Sequence, residues 1–166
     1  MTPLRGRVHR YGDDIDTDVI IPARYCATTR VEELAPHALA DLDPGFAARV
    51  RPGDLLVAGR NFGCGSSRET APLALQGAGV AAVVASSFAR IFYRNAVNVG
   101  LPILECPAAV AAARDGDVLT IDLASGVITA QDGASFTAAP FPPLMRAIIA
   151  AGGLVPYVRQ RLLGAG

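Results

Sequence analysis

Residues 59–70, GRNFGCGSSRET, gather the groups best suited to chemistry in this chain. Two adjacent serines, an arginine and a glutamate stand where a glycine-rich turn runs into an apolar, helix-like stretch. Glycine lets backbone approach a ligand closely. A helix start presents unpaired N–H groups and the positive end of a dipole, so Ser66, Ser67 and Arg68 would surround a natural seat for an anion. A purely structural alternative uses the same letters. Ser66 and Glu69 match the S-x-x-E capping box, in which the serine is consumed by the first N–H groups of a helix. Pro72 argues against the earliest helix start, because a helix begun at Ser67 would hold proline inside it at a cost of roughly 3 kcal/mol. A start nearer Arg68 leaves both hydroxyls free.

Other chemistries are excluded by what is missing. No Gly-Lys pair follows the glycines, so this is not a Walker phosphate loop, and the segment lacks the G-x-S-x-G and histidine of a serine hydrolase. The chain has two histidines, His9 and His37, and neither is assigned a role. Cys64 has no nearby histidine to activate it and reads as a structural thiol. All fifteen basic residues are arginine, which removes Schiff-base and PLP chemistry and suits planar, bidentate carboxylate recognition. A second polar cluster, GDDIDTD at 12–18, lacks the spaced glutamate of a calcium loop. Asp13, Asp14 and Asp16 read there as residues that solvate a turn.

The elements that must hold these groups follow from local pattern. RGRVHRY reads as a strand, VIIPA as a short apolar piece stopped by Pro22, and residues 31–42 as a short helix interrupted by Pro36 within a mobile excursion. DLLVA is a buried strand leading into the serine loop. Then TAPLALQGAG, VAAVVAS, SFARIFYRNAVNVG and LPILE alternate helix, strand, helix, strand, so parallel pairing with a right-handed crossover is expected. Within the second helix, Arg94 and Asn95 are read as structural. From Asp115 two strands join at Ser125-Gly126, with a further turn at Gly133, and the tail forms two short helices broken at Gly152-Gly153 and Pro156. The expected class is α/β with a mixed, partly parallel sheet or barrel-like core and flanking helices, as one domain over residues 1–166.

Net charge is zero with acids and bases interspersed, so no nucleic-acid partner is expected. No apolar run suits a signal peptide or membrane span. Cys26, Cys64 and Cys106 are an odd, widely spaced set, which fits neither a disulfide framework nor a zinc site and points to a reducing cytoplasm. Half the residues are apolar, and some of that surplus is expected to face a partner.

The run GRNFGCGSSRETAPLALQGAGVAAVVASSFARIFYRNAVNVGLPILE, preceded in the same order by GDDIDTDVIIPARY, closely resembles the small subunits of isopropylmalate isomerases, within the aconitase superfamily. The resemblance implies an aconitase-type swivelling β/β/α domain that closes over a large subunit carrying a 4Fe-4S cluster, with no cofactor or metal bound by this chain. It implies Ser66 as the catalytic base, Ser67 and Arg68 as substrate-binding groups, and Thr17 and Asp18 beside the site, orienting groups from the larger subunit. It makes Cys26, Ala27 and Thr28 the specificity loop. Homoaconitase small subunits carry an arginine in this stretch for an extra carboxylate, whereas Ala27 favours an alkyl group. The departure is Cys26, where isopropylmalate enzymes usually have leucine, so citramalate or dimethylmalate also fit, and Arg24 and Arg30 are within sequence reach of a carboxylate. The implied partners are that large subunit and a small dicarboxylic hydroxy acid. Outside the enzymes, the same motif would serve an anion-binding module that regulates a partner chain.

Overall fold

A computed structural model describes residues 2–164. The chain enters through β1 (Leu4–Arg10), turns through the short helix α1 (Thr17–Ile20), and makes an excursion with the single turns α2 (Val31–Leu34) and α3 (Phe46–Arg49). It then alternates β2 (Leu55–Ala58), α4 (Thr70–Ala78), β3 (Ala82–Ala85), α5 (Arg90–Val99), β4 (Ile103–Glu105) and α6 (Pro107–Ala112). Three strands, β5 (Val118–Asp122), β6 (Val127–Ala130) and β7 (Ser135–Thr137), precede the closing helices α7 (Pro143–Ala151) and α8 (Leu154–Gly164).

All seven strands form one mixed sheet in the order β4-β3-β2-β1-β5-β6-β7. The β4 to β1 half is parallel and the β5 to β7 half antiparallel, joined where β5 runs antiparallel to β1. The expected mixed α/β architecture is therefore present. LLVA and AVVA are buried at every position, as parallel strands covered on both faces must be. Alternation divides them. Leu56, Ala58, Val83 and Ala85 pack with Ala74, Leu75, Phe92 and Ala96 of α4 and α5, while Leu55, Val57, Ala82 and Val84 pack with Ala109 and Val110 of α6 and with Ile121 and Ile128.

Several local expectations change. The turn at Gly133 leads to a third antiparallel strand, β7, whose three residues were too few to carry a strand pattern. Pro156 does not break the last helix, because it sits in the first turn of α8, where its missing N–H costs nothing. Gly152 and Gly153 do break the tail, both at positive φ. The 24–50 excursion is anchored in the core through Leu34, Leu39 and Phe46, all fully buried. Among the described residues no helix is long and apolar enough to cross a membrane.

Candidate active site

The loops after β1 and β2 leave the carboxyl ends of neighbouring parallel strands and run side by side, at the edge where open α/β sheets receive ligands. Backbone bonds zip them together. Gly59 N–H donates to the Gly12 carbonyl (3.0 Å), Asp14 to Arg60 (2.8 Å), Gly63 to Ile15 (2.8 Å) and Thr17 to Cys64 (2.9 Å). The zipper ends where the buried Thr17 hydroxyl donates to the Ser66 carbonyl at 2.9 Å. The acids of the opening motif do more than solvate a turn. Asp13 accepts from the Arg60 N–H at 2.7 Å, which holds its carboxyl below the usual range. Asp14 accepts from the Asn61 amide at 3.1 Å, and Asp16 caps α1 through the Val19 N–H at 2.8 Å.

Two glycines make this approach possible. At Gly59 a Cβ would stand 1.8 Å from an Asp13 carboxylate oxygen, and at Gly63 (φ +82°) one would stand 2.2 Å from the Phe92 ring. Between them Phe62 is fully buried, edge-on to Phe92 and Phe88, and pins the loop to α5.

Helix α4 starts at Thr70, and its cap residue, Glu69, makes no side-chain capping bond. The capping box is thus absent, Pro72 lies in the first turn, and Ser66 and Ser67 stay exposed on the loop. Arg68 is turned back over the α1 region. Its Nη1 donates to Asp18 Oδ1 at 3.0 Å and to the Ile21 carbonyl at 3.1 Å, and its side chain is 23% exposed. The Arg68 hydrogen bond, with a second from the Ala23 N–H, holds the Asp18 carboxyl below its ordinary value. The structure thus joins both halves of the expected site, Thr17 to Ser66 and Asp18 to Arg68.

The 26–28 stretch borders the same region. The Cys26 thiol is half-buried, 3.4 Å from the Thr70 hydroxyl and directed at the Pro22 and Ile21 carbonyls. Ala27 is exposed, and the Thr28 hydroxyl accepts from the Arg30 N–H at 3.1 Å. Arg24 and Arg30, read as able to reach a carboxylate, are exposed and each pairs with acids of this chain: Arg24 with Asp41, lying over Tyr25, and Arg30 with Glu32 and Glu33. Cys64 has its thiol pushed up by burial, then by the carboxylates of Asp16 and Asp14. No group of three or more His, Cys, Asp or Glu among the described residues is arranged to hold a metal ion.

One residue read as merely structural joins the site. Asn95, half-buried on α5, donates from Nδ2 to the Ser67 Oγ at 3.2 Å. The signal that could have found it is its place in SFARIFYRNAVNVG, within the run that resembles the family.

The model of the aconitase C-terminal domain matches residues 15–109, which include the serine loop and the later part of the loop after β1. The 3-isopropylmalate dehydratase small subunit of Moorella thermoacetica is 57% identical over 160 residues, 96% of each chain. The 2,3-dimethylmalate dehydratase small subunit of Eubacterium barkeri is 56% identical over 155 residues, 93% of this chain and 95% of that one. The crystal structure of a 3-isopropylmalate dehydratase from Methanocaldococcus jannaschii superposes with a TM-score of 0.91 at 47% identity, covering 98% of this chain and 96% of that one. With more than half of its length matched by that family model, and relatives more than half identical over nearly the whole chain, the chain belongs to the aconitase C-terminal domain family.

Proposed function

We propose that this chain is the small subunit of a hydro-lyase that converts 2-isopropylmalate to 3-isopropylmalate through isopropylmaleate, in leucine biosynthesis. The observation that carries this reading is the Thr17–Ser66 bond, which fixes the backbone of the serine loop while its two hydroxyls stay exposed. Names of relatives more than half identical over nearly the whole chain support the same chemistry.

In this reading Ser66 removes the proton from the carbon beside a substrate carboxylate, and the hydroxyl is then eliminated and restored on the neighbouring carbon. A serine oxygen is a base only where its negative charge is stabilised by nearby donors. Arg68 suits that task. Its Nη1 is committed to Asp18 and Ile21, which orients the planar fork, and its remaining N–H groups make no bond among the described residues. Ser67 offers a hydroxyl to a substrate carboxylate. Departure of the substrate hydroxyl calls for a Lewis acid, which a 4Fe-4S cluster on a large subunit would supply. In this reading the ligands of that cluster belong to the large subunit; the three cysteines here are free and lie in no group of three or more His, Cys, Asp or Glu among the described residues. Free thiols also suit the cytoplasm.

The specificity stretch supports an apolar substrate arm, since Ala27 carries no charge and both nearby arginines are paired with acids of this chain. A second reading, in which the substrate is 2,3-dimethylmalate, is favoured by the Eubacterium barkeri relative, whose identity to this chain is nearly equal. Both share every step above.

The test co-expresses the chain with a large subunit, reconstitutes the cluster without oxygen, and measures hydration of isopropylmaleate beside dimethylmaleate and citraconate. A preference for isopropylmaleate of about tenfold or more in kcat/KM is expected, because one or two methylenes are worth that much discrimination in an apolar pocket. Preference for another acid overturns the substrate, and near-normal turnover by an assembled Ser66→Ala enzyme overturns the role of Ser66.

A further inference from the structure

Resting on the reading that Ser67 holds a substrate carboxylate, we propose that Asn95 is a positioning residue that aims the Ser67 hydroxyl at that carboxylate. A serine hydroxyl has one hydrogen to donate and lone pairs to accept with, and it rotates to suit its neighbours. A carboxylate only accepts, so Ser67 is useful to it only with its hydrogen facing the ligand. Asn95 Nδ2 donates to Ser67 Oγ at 3.2 Å, occupying the oxygen from the α5 side. The hydroxyl hydrogen is thereby directed away from α5, toward the open side of the loop.

The two partners differ in rigidity. Asn95 is carried by a helix whose neighbouring positions, Phe92 at 1% exposure and Ala96 at 0%, lie in the core. Ser67 is exposed, and its side chain makes no other hydrogen bond among the described residues. The serine loop is therefore held from two sides, the Ser66 backbone by Thr17 and the Ser67 side chain by Asn95. A single bond between an exposed hydroxyl and a helix-surface amide contributes little to stability. Its loss should be read in substrate binding.

The experiment uses the assembled two-subunit enzyme with Asn95→Leu, Ser67→Ala and the double variant, reading KM and kcat for isopropylmaleate hydration. Asn95→Leu keeps the branched side-chain skeleton, does not lower helix propensity, and removes the donor without adding charge. Expected are a rise in KM of about tenfold for each single variant, kcat within about twofold, and no further rise when Asn95→Leu is added to Ser67→Ala. Asn95→Gln, which restores an amide, should recover part of the loss. A wild-type KM for Asn95→Leu alongside a raised KM for Ser67→Ala overturns the role of Asn95 alone, as does a full additional rise in the double variant. A wild-type KM for Ser67→Ala overturns the reading of Ser67 itself. Should the leucine variant fail to assemble with the large subunit, Asn95→Ala in the same cycle is judged by the same outcomes.

Discussion

Thr17 and Ser66, 49 residues apart, meet through a 2.9 Å hydrogen bond from the Thr17 hydroxyl to the Ser66 carbonyl. The threonine is 2% exposed and stands at the first position of α1, so the serine backbone is tied to a residue that cannot move independently of the core. Thr17→Val keeps the shape and removes the donor. We expect a loss of about 1 kcal/mol in urea unfolding, and a fall in kcat of the assembled enzyme of about tenfold or more, because small misplacements of a reacting group are expensive in rate. A kcat that follows stability and nothing more would sink the link between this bond and Ser66.

Asp18 and Arg68 form the second link, and it is open to titration. The Arg68 guanidinium and the Ala23 N–H hold the folded carboxyl below its unfolded value. The pair's contribution is then complete above the ordinary carboxylate range, near about pH 4, and is lost as the pH falls through the lower folded value. Carbon-detected NMR of Asp18 should show a depressed midpoint that returns toward the ordinary range in Arg68→Gln. Because Asp18 is exposed, Asp18→Asn should barely change the unfolding midpoint while raising KM through a disoriented Arg68. An unshifted Asp18 in the native protein contradicts this.

Gly63 and Gly12 make a matched pair. Gly63 sits at φ +82° with the Phe92 ring where a Cβ would be, whereas nothing lies within 4 Å of a Cβ at Gly12. Gly63→Ala should destabilise by about 3 kcal/mol, from left-handed backbone strain together with overpacking. Gly12→Ala should fall within about 0.5 kcal/mol of the native protein. Denaturant midpoints decide, and equal values for the two variants would refute the close packing of the serine loop on α5.

Cys64 lies two residues from Ser66 without sharing its chemistry. Burial and the neighbouring Asp16 and Asp14 carboxylates push its thiol up, so little thiolate exists at neutral pH. Alkylation by iodoacetamide at pH 7.5 should be slower than for free cysteine and should accelerate on raising the pH. Cys64→Ala should retain turnover. Fast modification at neutral pH would show the thiol to be activated.

Much was legible before folding because local pattern carries it. LLVA and AVVA, as short apolar runs flanked by glycine and helical stretches, read as buried strands, and their alternation with helices pointed to parallel pairing. The two polar motifs were equally visible, and so was the separation of Ser66 from the helix, since Pro72 restricts where α4 begins. What local pattern lacks is any record of which polar group meets which across the sheet edge. Asn95 looked like one more helix-surface amide, and its partnership with Ser67 exists only because Phe62 and Gly63 seat the serine loop on α5. Arg24 reads in the sequence as able to reach a carboxylate, and only the folding back of the excursion shows that it faces Asp41, 17 residues away. Periodicity and the backbone limits of glycine and proline were enough for β2, β3, β4, α4 and α5 and for the residue types of the site, but not for the three-residue β7. The tertiary structure alone decided which side chains are free and which are held, because hydrogen-bond partners 28 to 50 residues apart are chosen by how the loops pack.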